Sequence, residues 1–420
     1  MQRIQELHER ISMLYQQLTL SGENILHIER PQPLEMLDID CLLVKGENLH
    51  SLARLLSSRD SVFDFCYIDP PYNTGNAFIY EDRRFGNFTS VWGKHSKWMS
   101  FMLPRLTLAH ELLNEQGVIA ISIDDYEYAY LKILMDAIFG PDHYIATLIV
   151  NRSKNGKGSK PHVAVNHEYV VLYGRSPSSI LHGLPEADSS SYGKSDEHGI
   201  FKIDGLFRKK GEGSLREDRP SMFYPLYFDE GGVVYTERVH ERLKETYPID
   251  SKGIERRWLW GKEKATQESW KLYASPKGVV YVKNYLTDGK RIKIRSIWDD
   301  ARYLTERATN EVKHIFGDKV FETPKPLGLL EDLLSCAAGP NSLILDFFAG
   351  TGTTAHAAFS LNQKDGGHRK VVLMEQKAKI PMDHIARSHG FSEISDLTEF
   401  RLANIKQNAS SYKYATVDII

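Results

Sequence analysis

Apolar side chains at Ile4, Leu7, Ile11, Leu14 and Leu18 recur every three or four positions, which predicts a helix over the first nineteen residues with one apolar stripe. The stripe is compatible with a two-helix seam between protomers. It is shorter than three heptads, so packing against its own domain is the expected use. From residue 41 the period changes. Strand-like runs CLLVKG, SVFDFCYID, GVIAISID and YIATLIV alternate with helical patterns LHSLARLL, WMSFMLPRLTLAHELL (expected to end at Gly117) and EYAYLKILMDAIF. This alternation predicts an α/β fold, a mostly parallel sheet with helices on both faces. It breaks near residue 176 and resumes with a helix LGLLEDLLSCA, a strand SLILDFF, a helix TTAHAAFSLN, a strand KVVLMEQ and a helical stretch DLTEFRLANIKQN. The chain is therefore expected to divide into an N-terminal helix (1–24), one half of a sheet domain (25–175), an inserted module (176–295) and the other half (296–420).

Composition narrows the class. A length of 420 residues favours two or more packed units, and 41% hydrophobic with 26% charged residues is ordinary for a soluble globular protein. Cys41, Cys66 and Cys336 are few and far apart, which argues against a disulfide scaffold, and no Cys/His spacing suggests a metal. The start MQRIQELHER is charged where a signal peptide needs an apolar core, and no apolar run approaches the ~18 residues of a membrane span. These features place the chain in the cytoplasm, without a membrane partner.

The net charge of −2 hides an asymmetry: residues 151–300 hold 27 Lys+Arg against 21 Asp+Glu, and the remainder 26 against 34. The basic stretches Arg152–Lys160 and 251–300 contain Arg152, Lys154, Lys157, Lys160, Arg256 and Arg257, the second interleaved with Trp258, Trp260, Trp270, Tyr273, Tyr281 and Tyr285. Cations with aromatics suit a polyanion that carries stackable bases. A solvated face with core aromatics fits the same composition equally well.

Two loops carry chemistry. The first, Asp69-Pro70-Pro71-Tyr72, follows the apolar run FDFCYI. Consecutive prolines fix φ and remove two N–H donors, so a carboxylate, rigid carbonyls and a phenol ring stand together at a strand end. The Asp69 carboxylate and the Pro70 carbonyl can each accept an N–H of an exocyclic amine while Tyr72 stacks on the ring, localising the nitrogen lone pair for in-line attack. The second loop, Asp346-Phe347-Phe348-Ala349-Gly350-Thr351-Gly352-Thr353-Thr354, follows the strand SLIL and leads into a helix, as a nucleoside-cofactor loop does. Glu375 ends the next strand, placed for the hydroxyls of a ribose. Taken alone, Gly350-x-Gly352-x-x-Ala355 also satisfies the dinucleotide fingerprint of an NAD-dependent oxidoreductase. The proline loop favours group transfer to an amine.

With these residues in hand, the chain resembles the beta-class S-adenosylmethionine-dependent DNA amino-methyltransferases, in which the D-P-P-Y block precedes the target-recognition region and the F-x-G-x-G block. It is similar in particular to the modification (Mod) subunits of type III restriction-modification systems. That likeness rests on DPPYNTG at 69–75, ISIDDYEYAYLKILMDAIFG at 121–140, NHEYVVLYG at 166–174, IWDD at 297–300, FETPKPLGLLEDLL at 321–334 and LDFFAGTGTTAHA at 345–357. The resemblance implies a Rossmann-like class I methyltransferase sheet interrupted by a target-recognition domain. The implied reaction is site-specific methylation of adenine N6 in DNA, in a restriction-modification or related system. Cytosine N4, RNA, an orphan enzyme and a catalytically silent subunit are the alternatives. The implied site has Asp69, Pro70, Pro71 and Tyr72 on a flipped base. Asp346, Phe348, Gly350, Gly352 and Thr353 would form the pocket for S-adenosyl-L-methionine, with Glu375 on the ribose and Lys325 bordering the methionine end. The six basic residues named above would hold phosphates. The implied partners are double-stranded DNA, a restriction subunit and a second copy of the chain.

Overall fold

The computed structural model describes residues 2–20, 38–58, 62–74, 92–154, 162–186, 192–287 and 289–419. The chain divides into two units, Met1–Leu184 with Lys293–Ile420, and Pro185–Ile292. The larger unit is built on one nine-stranded sheet. Its strands are β1 Cys41–Lys45, β2 Phe63–Ile68, β3 Leu113–Ile123, β4 Tyr144–Asn151, β5 His167–Gly174, β6 Ile297–Trp298, β7 Leu343–Asp346, β8 Lys370–Glu375 and β9 Tyr414–Asp418. They lie in the order β6-β4-β5-β3-β2-β7-β8-β1-β9. Central runs such as FDFCYI and KVVLME are apolar almost without interruption because helices cover both faces, leaving no side of the strand for water.

The sheet is mostly parallel, as expected, and the expected end of the long helix is corrected. All neighbouring pairs are parallel except those of β5, which runs antiparallel to both β3 and β4. The strand–helix alternation does not reach this strand, so its direction is not foreshadowed. The long helix spans Ser96–Leu112, and β3 begins at once, with Gly117 inside the strand where the β2 pairing shifts register.

The register explains how two loops distant in sequence meet. β7 pairs directly with β2, Ile344 beside Phe65 and Leu345 beside Cys66, and β8 pairs with β7, Asp346 beside Leu373. Asp69, Asp346 and Glu375 therefore emerge at the carboxyl ends of three adjacent parallel strands, the crevice where open α/β sheets bind ligands.

The N-terminal helix Gln2–Gln17 buries Leu7, Ile11 and Leu14, together with Leu18 beyond its end, in the core shared with the Ser96–Leu112 helix. Tyr15 Oη donates to Ser100 O at 2.9 Å, and Arg10 reaches both Glu111 and Ile138 O. The stripe is covered by its own domain and so is no seam for a second protomer. Ile4's side chain lies outside the described residues. The smaller unit has its own core of Phe207, Tyr224, Leu226, Phe228, Trp258 and Leu272 among short antiparallel strands. Among the described residues no helix is long and apolar enough to cross a membrane.

Candidate active site

Asp69 leaves the end of β2 with its carboxylate already engaged. Tyr72 Oη donates to Asp69 Oδ1 at 2.7 Å, and the Lys325 ammonium lies 3.1 Å from the same oxygen. Lys325 also donates to Tyr72 Oη at 2.6 Å and to both carboxylate oxygens of Glu168, at 2.9 and 3.1 Å. Burial raises the Asp69 carboxyl; Lys325 pulls it back, and the charge of Glu168 pushes it up again. Burial opposes the charge on Lys325, but the two carboxylates prevail and hold it above the usual lysine range. The Tyr72 phenol is pushed well up, by burial first and then by Asp69 and Glu168.

The backbone of this loop is pinned from both sides. Trp98 Nε1 donates to Pro71 O at 2.7 Å, so Pro71 contributes rigidity, not an open acceptor. Asn73 takes φ +55°, and its amide donates at 2.6 Å to Glu127 Oε1, which His95 Nδ1 also meets at 2.8 Å. Asn tolerates the left-handed region better than most residues, and the buried Glu127 holds it there. Gly75 lies outside the described residues.

The second loop is arranged differently. Asp346 is buried, accepting from Phe348 N at 3.0 Å and from Thr354 Oγ1 at 2.6 Å. Burial pushes its carboxyl up to about 7 against those two donors. Glu375 accepts from Gly350 N at 2.6 Å and Gln376 N at 3.0 Å, and burial pushes it up to about 8. Neither has an ion-pair partner among the described residues. Gly350 (φ +53°) and Gly352 (φ +79°) both need the left-handed region, and Gly352 leads into the helix Thr353–Asp365. A Cβ at Gly352 would come 3.2 Å from Thr398 Cγ2. The fully buried Arg401 anchors the loop from beneath, bonding Thr351 Oγ1 at 3.1 Å and also Thr353 Oγ1.

Both loops open on one cavity of about 480 Å³, lined by Asp69 and Lys325 on one side, by Asp346, Gly350, Thr353 and Glu375 on the other, and by Phe101, Phe321 and Phe348 between. An apolar chamber with two uncompensated carboxylates fits a flat, partly apolar ligand that brings hydroxyl or ammonium donors. The Asp69 end fits a group that offers N–H donors to a carboxylate.

The sequence expectations meet this geometry unevenly. Asp69, Pro71, Asp346, Phe348, Gly350, Thr353 and Glu375 line the cavity; Lys325 lines it too, but its ammonium is bound to the Asp69 cluster. Glu168 within NHEYVVLYG and Glu127 within ISIDDYEYAYLKILMDAIFG carry no role in the sequence, and Arg401 and His95 have no signal there, since each acts through a partner distant along the chain. Among the basic residues, Lys154 is exposed, Arg152 is partly exposed with Nη1 4.0 Å from Glu168, and Lys157 and Lys160 lie outside the described residues. Arg256 and Arg257 are partly exposed and carry bonds within the smaller unit. Arg256 is bonded to Asp250 and Ser214, and Arg257 to Gly213 O and Met222 Sδ, so their guanidinium groups brace the smaller unit. Trp258 is likewise buried, donating to Tyr224 O, whereas Trp270 is exposed and stands against His198.

Comparison with known proteins shows the family. A DNA methylase family model matches residues 63–381. The chain is 55% identical over 375 residues to the type II methyltransferase M.KpnI of Klebsiella pneumoniae, covering 89% of this chain and 90% of that protein. It is 33% identical over 413 residues to the Mod subunit of the type III restriction-modification enzyme EcoPI of Escherichia phage P1, and 32% over 408 residues to the StyLTI Mod subunit of Salmonella typhimurium. The chain spans 62% and 58% of the length of those two subunits.

Proposed function

Because the chain belongs to the DNA methylase family, we propose that it transfers a methyl group from S-adenosyl-L-methionine to the N6 amine of adenine at a specific DNA site. The observation that carries this reading is the convergence of Asp69 and Pro71 of the first loop with Asp346, Phe348 and Gly350 of the second on one cavity at the ends of adjacent strands. S-adenosyl-L-methionine, when bound, supplies a methyl group on a positively charged sulfur. The chain's residues bind and orient. Glu375 accepts the ribose hydroxyls, Asp346 and Thr353 face the polar end, Phe348 gives an apolar wall, and Gly350 and Gly352 let backbone approach the ligand. Asp69 and the Pro70 carbonyl accept the amine hydrogens while Tyr72 stacks on a base turned out of the duplex, at a cost of a few kcal/mol.

Adenine is preferred to cytosine because the block opens with Asp, which in this class goes more often with adenine enzymes. The inserted unit Pro185–Ile292 serves as the recognition domain, with Arg152 and Lys154 on phosphates and the exposed Trp270 available to a base. Greater identity to a type II methyltransferase than to type III subunits favours action without a restriction subunit. The enzyme works in the cytoplasm, where its DNA lies, and any second copy attaches elsewhere than at the covered N-terminal stripe.

The test is single-molecule sequencing of DNA from a methylation-free host that expresses the chain, beside an Asp69→Ala control. A methyladenine motif that vanishes in the control is expected. N4-methylcytosine in its place would overturn the base assignment, and unmodified DNA with methylated RNA would overturn the substrate.

A further inference from the structure

The cluster around Asp69 holds two carboxylates, one ammonium and one phenol, half-buried beside the cavity that Asp69 and Lys325 line. Lys325 meets Asp69 through one oxygen at 3.1 Å but meets Glu168 through both, at 2.9 and 3.1 Å. The ammonium is therefore shared unequally. Were Glu168 absent, Lys325 and Asp69 would form a closed neutral pair, and a carboxylate neutralised in that way is a poor acceptor for an incoming amine. With Glu168 present the trio keeps one net negative charge, and Asp69 Oδ1 is fixed by Lys325 and Tyr72, so the carboxylate has one set orientation.

Resting on the proposed methyl transfer, we propose that Glu168 and Lys325 are positioning residues for Asp69. Lys325 fixes the carboxylate through one oxygen, and Glu168 draws the ammonium's charge away so that Asp69 stays an active acceptor for the target amine. Glu168 owes its place to β5, the antiparallel strand that brings residue 168 opposite Val150 and under the loop Glu322–Pro326 that carries Lys325. Pro326 then caps the helix Leu327–Ala337, which fixes the approach of Lys325. Neither residue needs to touch the base.

This arrangement makes opposite predictions for two variants. Glu168 raises the Asp69 carboxyl and Lys325 lowers it. Glu168→Gln therefore moves the acidic limb of the pH–rate profile to lower pH, and Lys325→Met moves it to higher pH. The other titratable or charged groups facing the cluster, Tyr72, Tyr67 and Asp346 beside Asp69 and Arg152 beside Glu168, are the same in both variants.

The experiment measures single-turnover methylation of a DNA duplex against pH for the wild type and both variants, with cofactor affinity by calorimetry. In parallel, 13Cγ NMR of aspartate-labelled protein without DNA follows the protonation of Asp69, assigned with Asp69→Asn. Expected are opposite displacements of the Asp69 titration in both readouts, a rate loss at neutral pH of about tenfold or more for Glu168→Gln, and cofactor affinity within about twofold of wild type. Displacements in the same direction, or none, would overturn the proposal. So would an unmoved titration in Lys325→Met with cofactor binding lost, which would return Lys325 to the cofactor's methionine end. A wild type that binds cofactor but methylates no DNA would refute the parent reading, and the NMR titration would still decide the positioning roles.

Discussion

At the end of β2 one carboxylate, Asp69, meets an ammonium, a phenol and a second carboxylate. At the ends of β7 and β8 two carboxylates, Asp346 and Glu375, meet backbone N–H groups and one hydroxyl, with no cation among the described residues. Both regions place acidic residues at the carboxyl ends of adjacent parallel strands, so topology does not distinguish them; the neighbours do. The first is a site whose charge is fixed from within, ready to accept N–H donors. In the second, burial pushes the Asp346 carboxyl up to about 7 and that of Glu375 up to about 8 against their hydrogen-bond donors.

The largest effect that should separate the two regions comes from Asp69→Ala. Methyl transfer falls by at least about 10³-fold, since the amine loses its charged acceptor, while calorimetry finds cofactor affinity nearly unchanged. Equal losses of both would show that the regions are not separable. Glu375→Ala should give the converse. Cofactor affinity falls by roughly 10- to 100-fold, the scale of lost hydrogen bonds to a buried carboxylate, and the rate at saturating cofactor is largely retained. A collapse of the saturated rate would break the division of labour.

The pH dependence sharpens the contrast. In the cofactor-free protein Asp346 and Glu375 hold protons up to about 7 and about 8. A ligand that binds their ionised forms must displace those protons, so cofactor affinity rises as pH rises through about 7 to 8 and then levels. Calorimetry in buffers of different ionisation enthalpy should detect net proton release at pH 7. Proton uptake would contradict the assignment of both carboxylates to the ligand. The smallest effect is expected from Asn73→Ala, which removes the bond to Glu127 and places alanine at φ +55°. A rate loss of about three- to tenfold with unchanged cofactor affinity fits a strain of order 1 kcal/mol in the catalytic loop alone.

Much of the site is legible in the sequence because its chemistry is written in short contiguous blocks. Asp69-Pro70-Pro71-Tyr72 and Asp346 to Thr354 each follow an uninterrupted apolar strand, and each combination of residue types has few other uses. Arg256 and Arg257 show the opposite limit. Composition marks them as candidate phosphate ligands but does not show that their guanidinium groups also bond to Asp250, Ser214 and Gly213 inside the smaller unit. A cation's availability depends on which acceptors the fold brings to it. The N-terminal stripe has the same limit, since its period reveals an apolar face but not what covers it.

By itself the sequence determined the sheet-and-helix architecture, the inserted middle region and the two loops at strand ends, because strand burial, proline rigidity and glycine freedom are local properties of a few consecutive residues. Only the tertiary structure decided that β5 runs antiparallel, that Glu168 and Lys325 meet Asp69, and that Asp346 and Glu375 have no cation beside them among the described residues. Those facts depend on residues up to 256 positions apart, and the electrostatics of a buried carboxylate follow from what stands within a few ångströms of it in space, wherever the chain happens to supply it.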